Sequence, residues 1–131
     1  MTTMHVELVS VETPIWAGEA KSIYARTTDG EIGVMPGHSP LLAVLEPGWI
    51  ARIERDGDTE LTAAVHGGFI SVRTDGVSVM AEMAEEASEI DVARARDDLL
   101  KAEADMGPDQ AAARDRARAR LRAVGEDVKD D

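Results

Sequence analysis

The spacing of apolar positions changes once along this chain of 131 residues, and the change divides it in two. Up to about Met83 the apolar residues come in short runs that alternate with polar ones: Val6 and Leu8, then Leu61, Ala63 and Val65, then Ile70 and Val72, then Val77 and Val79. A period of two marks half-buried strands. Asp29-Gly30, Asp56-Gly57, Gly67-Gly68 and Asp75-Gly76 punctuate the runs as hairpin turn signals. Met4 to Val11 reads as a first strand closed by Pro14, and Ile15 to Ala17 and Ser22 to Thr27 as two short strands around Gly18. About ten short strands with regular turns predict an antiparallel β-sandwich over residues 1–86.

After Glu86 the period lengthens to that of a helix. Ser88, Val92, Ala95, Leu99, Ala102 and Met106 recur at spacings of four and three, and Ser88 with Asp91 three residues on is close to a capping box. Gly107-Pro108 breaks this helix, and Ala113, Ala117, Leu121 and Val124 mark one side of a second from Asp109 to Val124. So short a turn predicts an antiparallel α-helical hairpin over residues 87–131, ended by Gly125 and followed by a frayed acidic C-terminus. Its inward positions are mostly alanine, which bury little area at about 0.8 kcal/mol per methylene. The hairpin therefore reads as the movable element and the sandwich, which holds its own core, as the fixed one; a simply packed helical appendage is the other reading.

The most irregular stretch is Gly30 to Gly48, GEIGVMPGHSPLLAVLEPG. Proline pre-sets φ for a turn and glycine accepts positive φ, so Pro36-Gly37 bends the chain sharply and presents His38 and Ser39 at a loop tip. Pro47-Gly48 turns it again before Trp49. In order and spacing this stretch resembles the G-E-x-G-x-x-P-G-H-x-P-L-L signature, with its following P-G, of the epsilon subunit of F-type ATP synthases. The resemblance extends to the strand-rich opening and to an Ala-rich charged tail opening with IDVARA.

Composition sharpens the picture. The absence of cysteine excludes a disulfide framework and thiolate metal sites. No apolar run approaches the roughly 20 residues of a membrane span, and the first ten residues lack the charged and apolar regions of a signal peptide, so a soluble protein not secreted by that route is expected. A formal net charge of −12 disfavours nucleic acid and anionic lipid. Yet Arg114, Arg116, Arg118, Arg120 and Arg122 stand against Asp115 alone, a basic face in an acidic chain.

Catalytic signals are thin. His5, His38 and His66 lack the spaced partners of a zinc motif, G-H-S-P-L departs from a nucleophile elbow, and no phosphate-cradling glycine loop occurs. Neither a metal nor an enzyme is expected. In the tail, Asp91 and Arg94 are three apart, and Arg116 and Arg120 four apart, so a folded hairpin could gather three guanidinium groups suited to phosphate. On spacing alone, a solvated surface laced with ion pairs stays open.

The resemblance implies more. IDVARA matches the I/L-D-x-x-R-A motif through which some bacterial epsilon subunits bind ATP, and Arg116-Ala117 with Arg120-Leu121 matches the R-A-x-x-R-L of the second helix; ATP is then a regulatory ligand held by Asp91, Arg94, Arg116 and Arg120, with no other cofactor. Glu31 matches the family position close to the c-ring and His38 one near the gamma subunit. The implied protein is a non-catalytic central-stalk subunit, peripheral on the cytoplasmic face of the bacterial membrane and attached only through the complex. It would join gamma and the catalytic alpha/beta head to the c-ring, and the arginine face would restrain ATP hydrolysis by docking on an acidic region of beta. The competing readings are a free-standing nucleotide-sensing sandwich with a helical lid and a small hydrolase using the Gly30 to Gly48 loop.

Overall fold

The computed structural model describes residues 2–57, 59–105, 107 and 110–128. Seven strands come first: β1 Met4–Ser10, β2 Pro14–Thr27, β3 Gly30–Val34, β4 Leu41–Val44, β5 Trp49–Arg55, β6 Glu60–Arg73 and β7 Gly76–Glu86. A single 3-10 turn, Ala87–Glu89, leads to α1 Val92–Ala104 and α2 Gln110–Ala123.

The strands hydrogen-bond in the order β1-β7-β6-β5-β2-β3, with β4 on β6 and β1 also on β2, so five of them close into a ring. Strands β2, β6 and β7 are long enough to serve both layers. One layer holds β3, the end of β2, β5, the start of β6 and the end of β7; the other holds the start of β2, β1, the start of β7, the end of β6 and β4. The ten segments expected from turn spacing are thus seven continuous strands, three of them counted twice. Ile15 to Ala17 and Ser22 to Thr27 belong to one strand, which Pro14 opens, and a register shift between Ala20 and Ser22 bends it.

Gly67-Gly68 is likewise not a hairpin. It lies inside β6 opposite Glu82, where both strands fold over together from one layer to the other. On β6 the inward residues change from Leu61, Ala63 and Val65 to Ile70 and Val72 across this point. Glycine is required: Gly68 has φ +115°, and a Cβ there would lie 2.1 Å from the Met80 carbonyl oxygen. One pairing departs from the antiparallel expectation, since β1 runs parallel to β7. The intervening strands supply the long crossover that a parallel pair needs.

Leu8, Ile23, Ile53, Ile70 and Val79 fill the space between the layers at no more than 1 % exposure. Burying each such side chain is worth about 1.5–3 kcal/mol.

The helices start and stop for local reasons. Asp91, not Ser88, caps α1 by accepting from the Arg94 backbone N–H at 3.1 Å, because Ser88 is already inside the 3-10 turn. Gly125 ends α2 as predicted, at φ +85°, with Glu126 N–H returning to the Leu121 carbonyl at 2.9 Å. The predicted helix ends Met106 and Asp109, the Pro108 of the break, and Lys129 to Asp131 lie outside the described residues. Ala95 and Ala102 of α1 and Ala117 and Leu121 of α2 are buried where the two helices pack. An ion pair between Arg96, early in α1, and Glu126, beyond the end of α2, shows that they run antiparallel. That pair also anchors the start of the tail expected to fray.

The second face of α2, unforeseen from the periodicity, lies across β5 and β6. Ala119 and Ala123 cover Ile50 and Ala64, with Tyr24, Ala87 and Ile90 alongside.

Candidate functional site

Three regions carry the predicted residues. In the first, Met35 to His38 forms the expected turn, His38 N–H donating to the Met35 carbonyl at 3.1 Å and Gly37 at φ +89°. His38 is half-exposed and its Nδ1 lies 2.7 Å from the Ser39 carbonyl oxygen. Glu31 projects from β3, where Oε1 accepts from the Tyr24 hydroxyl at 2.9 Å and lies 3.5 Å from the Arg26 guanidinium. Burial, then the bond to Glu31 and its charge, holds the Tyr24 phenol above its ordinary range. Beyond the loop, Leu42 and Val44 point outward from β4 at 70 % and 59 % exposure, with Val44 paired to the partly exposed Phe69 on β6. Leu42, Val44 and Phe69 thus form an exposed apolar strip across β4 and β6.

The second region is the seat of α2. Arg120 Nε donates to Glu85 Oε1 at 2.8 Å, and His66 Nε2 lies 2.9 Å from the same oxygen. Burial raises the carboxyl of Glu85, but hydrogen bonds from Arg120 and His66 and their charge outweigh it and bring it below its usual range. Two residues on, Arg122 donates to the Gly48 carbonyl and stacks on Trp49 at 3.9 Å from the ring centroid. Arg26 stacks on the same ring at 4.1 Å. Arg118 has a buried Nε without a hydrogen-bond partner, and Arg114 is half-buried. Of the five arginines, Arg116, Arg120 and Arg122 are therefore the ones set against residues of the sandwich.

The third region is the candidate phosphate site. Asp91, Arg94 and Arg120 line one cleft of about 270 Å³ together with Glu85, Glu89 and Asp98. Arg116 lines a different cleft of about 300 Å³, with Gly48, His66, Glu82 and Asp115. So three of the four predicted residues meet and the fourth does not. Asp91 Oδ1 is engaged as the α1 cap and Arg120 by Glu85. Among the described residues no group of His, Cys, Asp and Glu could hold a metal ion.

Sequence reasoning missed the groups that receive α2, namely Glu85, the Trp49 ring and the Gly48 carbonyl, and His66 beside Glu85. Arg120 and Glu85 are 35 positions apart, and Arg122 and Gly48 are 74. The usable signal was His66 itself, a titratable side chain two residues from Ala64 on the strand face opposite Leu61, Ala63 and Val65.

Comparison with known proteins gives the family. The sequence profile of the ATP synthase delta/epsilon chain β-sandwich domain matches residues 3–87, the whole of the strand-rich part. The chain belongs to the ATP synthase delta/epsilon family. Curated relatives in the family include the ATP synthase epsilon chain of Streptomyces griseus, 54 % identical over 92 % of this chain and 94 % of its own, and that of Mycobacterium tuberculosis strain H37Rv, 50 % identical over 95 % and 98 %. Similarity at this coverage takes in the helical tail as well as the sandwich. Among solved structures, a chain of the Euglena gracilis mitochondrial ATP synthase OSCP/F1/c-ring assembly is 27 % identical with a TM-score of 0.74, covering 92 % of this chain and 76 % of that one. A chain of the Tetrahymena thermophila mitochondrial central stalk and c-ring, 17 % identical at a TM-score of 0.54, shares the fold.

Proposed function

We propose that this chain is the non-catalytic epsilon subunit of the central stalk of a bacterial proton-translocating ATP synthase. Its sandwich joins the gamma subunit to the c-ring, and its hairpin restrains ATP hydrolysis. The observation that carries the reading is the pairing of a match to an ATP synthase epsilon chain over 92 % of this chain with a loop constellation, Glu31 and His38, held at the edge of the sandwich. Loops fixed on rigid scaffolds are where contacts concentrate. The exposed strip of Leu42, Val44 and Phe69 supplies apolar area for gamma, and Glu31 a carboxylate for the polar loops of the c-ring. No helix among the described residues is long and apolar enough to cross a membrane, which suits a peripheral subunit on the cytoplasmic face.

For inhibition, Arg114, Arg116, Arg118, Arg120 and Arg122 form the surface that leaves the sandwich for an acidic region of beta. The supporting geometry is that Arg120 and Arg122 already bind a carboxylate, a carbonyl and an aromatic ring, partners that another acidic surface can replace. ATP enters the proposal as a regulatory ligand of the cleft at Asp91, Arg94 and Arg120, where Arg120 would exchange Glu85 for phosphate and Arg116 would have to swing in.

Co-purification tests the assembly: the tagged chain should bring down gamma and the catalytic head. Recovery of the chain alone would favour the free-standing sensor. In the reconstituted enzyme, deleting residues 87–131 or replacing the five arginines with glutamine should release ATP hydrolysis; unchanged hydrolysis after the deletion refutes the inhibitory role.

A further inference from the structure

Helix α2 closes over a titratable ring whose two nitrogens have unequal surroundings. His66 is 9 % exposed. Its Nε2 faces Glu85, whose Oε1 also accepts from Arg120, while its Nδ1 is buried without a hydrogen-bond partner. A neutral ring with its proton on Nε2 fits this environment, since the N–H donates to the carboxylate and Nδ1 keeps only a dry lone pair. A second proton would sit on Nδ1 as a buried donor with no acceptor, an arrangement that costs its full desolvation.

Charges face the ring from both elements packed on it. Strand β7 contributes Glu85 and, across the adjoining cleft, Glu82; α2 contributes Arg116 and Arg120, with Asp115 lining the same cleft. Burial is the largest influence and lowers the affinity of His66 for a proton; the bond to Glu85 raises it, the two arginines lower it, and the balance falls below the ordinary value of 6.5. Lifting α2 reverses most of this. Arg116 and Arg120 depart with the helix and water reaches Nδ1, while Glu85 stays beside His66 on the neighbouring strand. The proton therefore binds the undocked form more tightly than the docked one.

We propose that His66 makes the docking of the hairpin acid-sensitive, uptake of a proton at Nδ1 favouring the form in which α2 has left the sandwich. Because docking depresses the proton affinity, its contribution is fully present above the undocked pKa and is lost as pH falls toward the docked one. One proton can change the docked-to-undocked ratio by at most tenfold per pH unit within that window. The inference rests on the reading of the hairpin as movable but on no partner, so it is tested on the full chain alone.

The test follows the His66 ring by ¹⁵N NMR and the opening of α2 by amide exchange, corrected for its intrinsic pH dependence, between about pH 8 and pH 5.5. The ring should titrate below the same histidine in the urea-unfolded chain. Opening of α2 should rise severalfold across the window while β1 stays closed. His66→Gln, whose amide can still donate to Glu85 but does not titrate, should flatten the dependence; if that variant does not fold, the wild-type titration decides alone. The proposal is overturned by His66 titrating at or above its unfolded value, or by a His66→Gln chain that keeps the full dependence. A ring that titrates low under a hairpin closed at every pH also overturns it, and in that case the fault lies with the movable hairpin and not with assembly into the synthase.

Discussion

Replacing Arg120 with glutamine should loosen α2 without loosening the sandwich. The Arg120 and Glu85 side chains are 23 % and 28 % exposed, so the pair is neither a solvated surface bridge nor a fully dry one. A hydrogen bond to a charged group contributes about 1.5–3 kcal/mol when buried. Residual solvent and the amide that glutamine retains reduce the loss to about 1–2 kcal/mol, midway between the surface and buried limits. That is a factor of roughly 5–30 in the docked-to-undocked ratio. Hydrogen exchange on the isolated chain, at a pH where His66 is neutral, reads it directly: amides of Ala117 to Arg122 should exchange faster by that factor, while those of Ile53, Ile70 and Val79 keep their rates. Arg122 still holds Gly48 and Trp49, so most molecules stay docked. Unchanged exchange in α2 would show that the pair adds nothing to docking. Equal acceleration in the strands would show that hairpin and sandwich open as one unit, which would refute the division into fixed and movable parts.

A chain ending at Glu86 should keep strand-type circular dichroism and a cooperative melt, at a lower temperature because uncovering Ile50 forfeits about 1.5–3 kcal/mol; loss of the cooperative melt would make the helices part of the core. Glu31→Lys should weaken the coupling of ATP hydrolysis to proton pumping in reconstituted vesicles with little change in stability, since the carboxylate is exposed; unaltered coupling removes Glu31 from the docking edge. Calorimetry on the isolated chain should show ATP binding at millimolar concentration that Arg94→Ala weakens; no binding, or equal binding by the variant, counts against the cleft at Asp91, Arg94 and Arg120.

The parts legible in the sequence were those fixed by local chemistry. The Pro36-Gly37 turn, the Asp29-Gly30 hairpin and the end of α2 at Gly125 follow from the φ values that proline and glycine accept, and no distant contact overrides them. Where the same residue type serves a different end, local reading failed. Gly67-Gly68 has the composition of a hairpin turn, but Gly68 is needed because the β7 backbone passes too close for a Cβ, and Gly67 because its φ of +73° is positive. Ser88 and Asp91 compete for one cap, and the 3-10 turn decided between them. The basic face was visible as charge, but its acceptors were not, because strand order alone places Glu85 and Trp49 under α2.

The closed ring of β1, β7, β6, β5 and β2 has a mechanical consequence. An open stack of two sheets can yield along the seam between them, where only side chains resist sliding. Here β2, β6 and β7 cross from one layer to the other as unbroken backbone, so any shear between layers must stretch covalent chain or break several ladders at once. A twist applied at the β3 edge is thereby delivered to the β4 face through continuous backbone, whereas α2 is held on β5 and β6 by side-chain contacts.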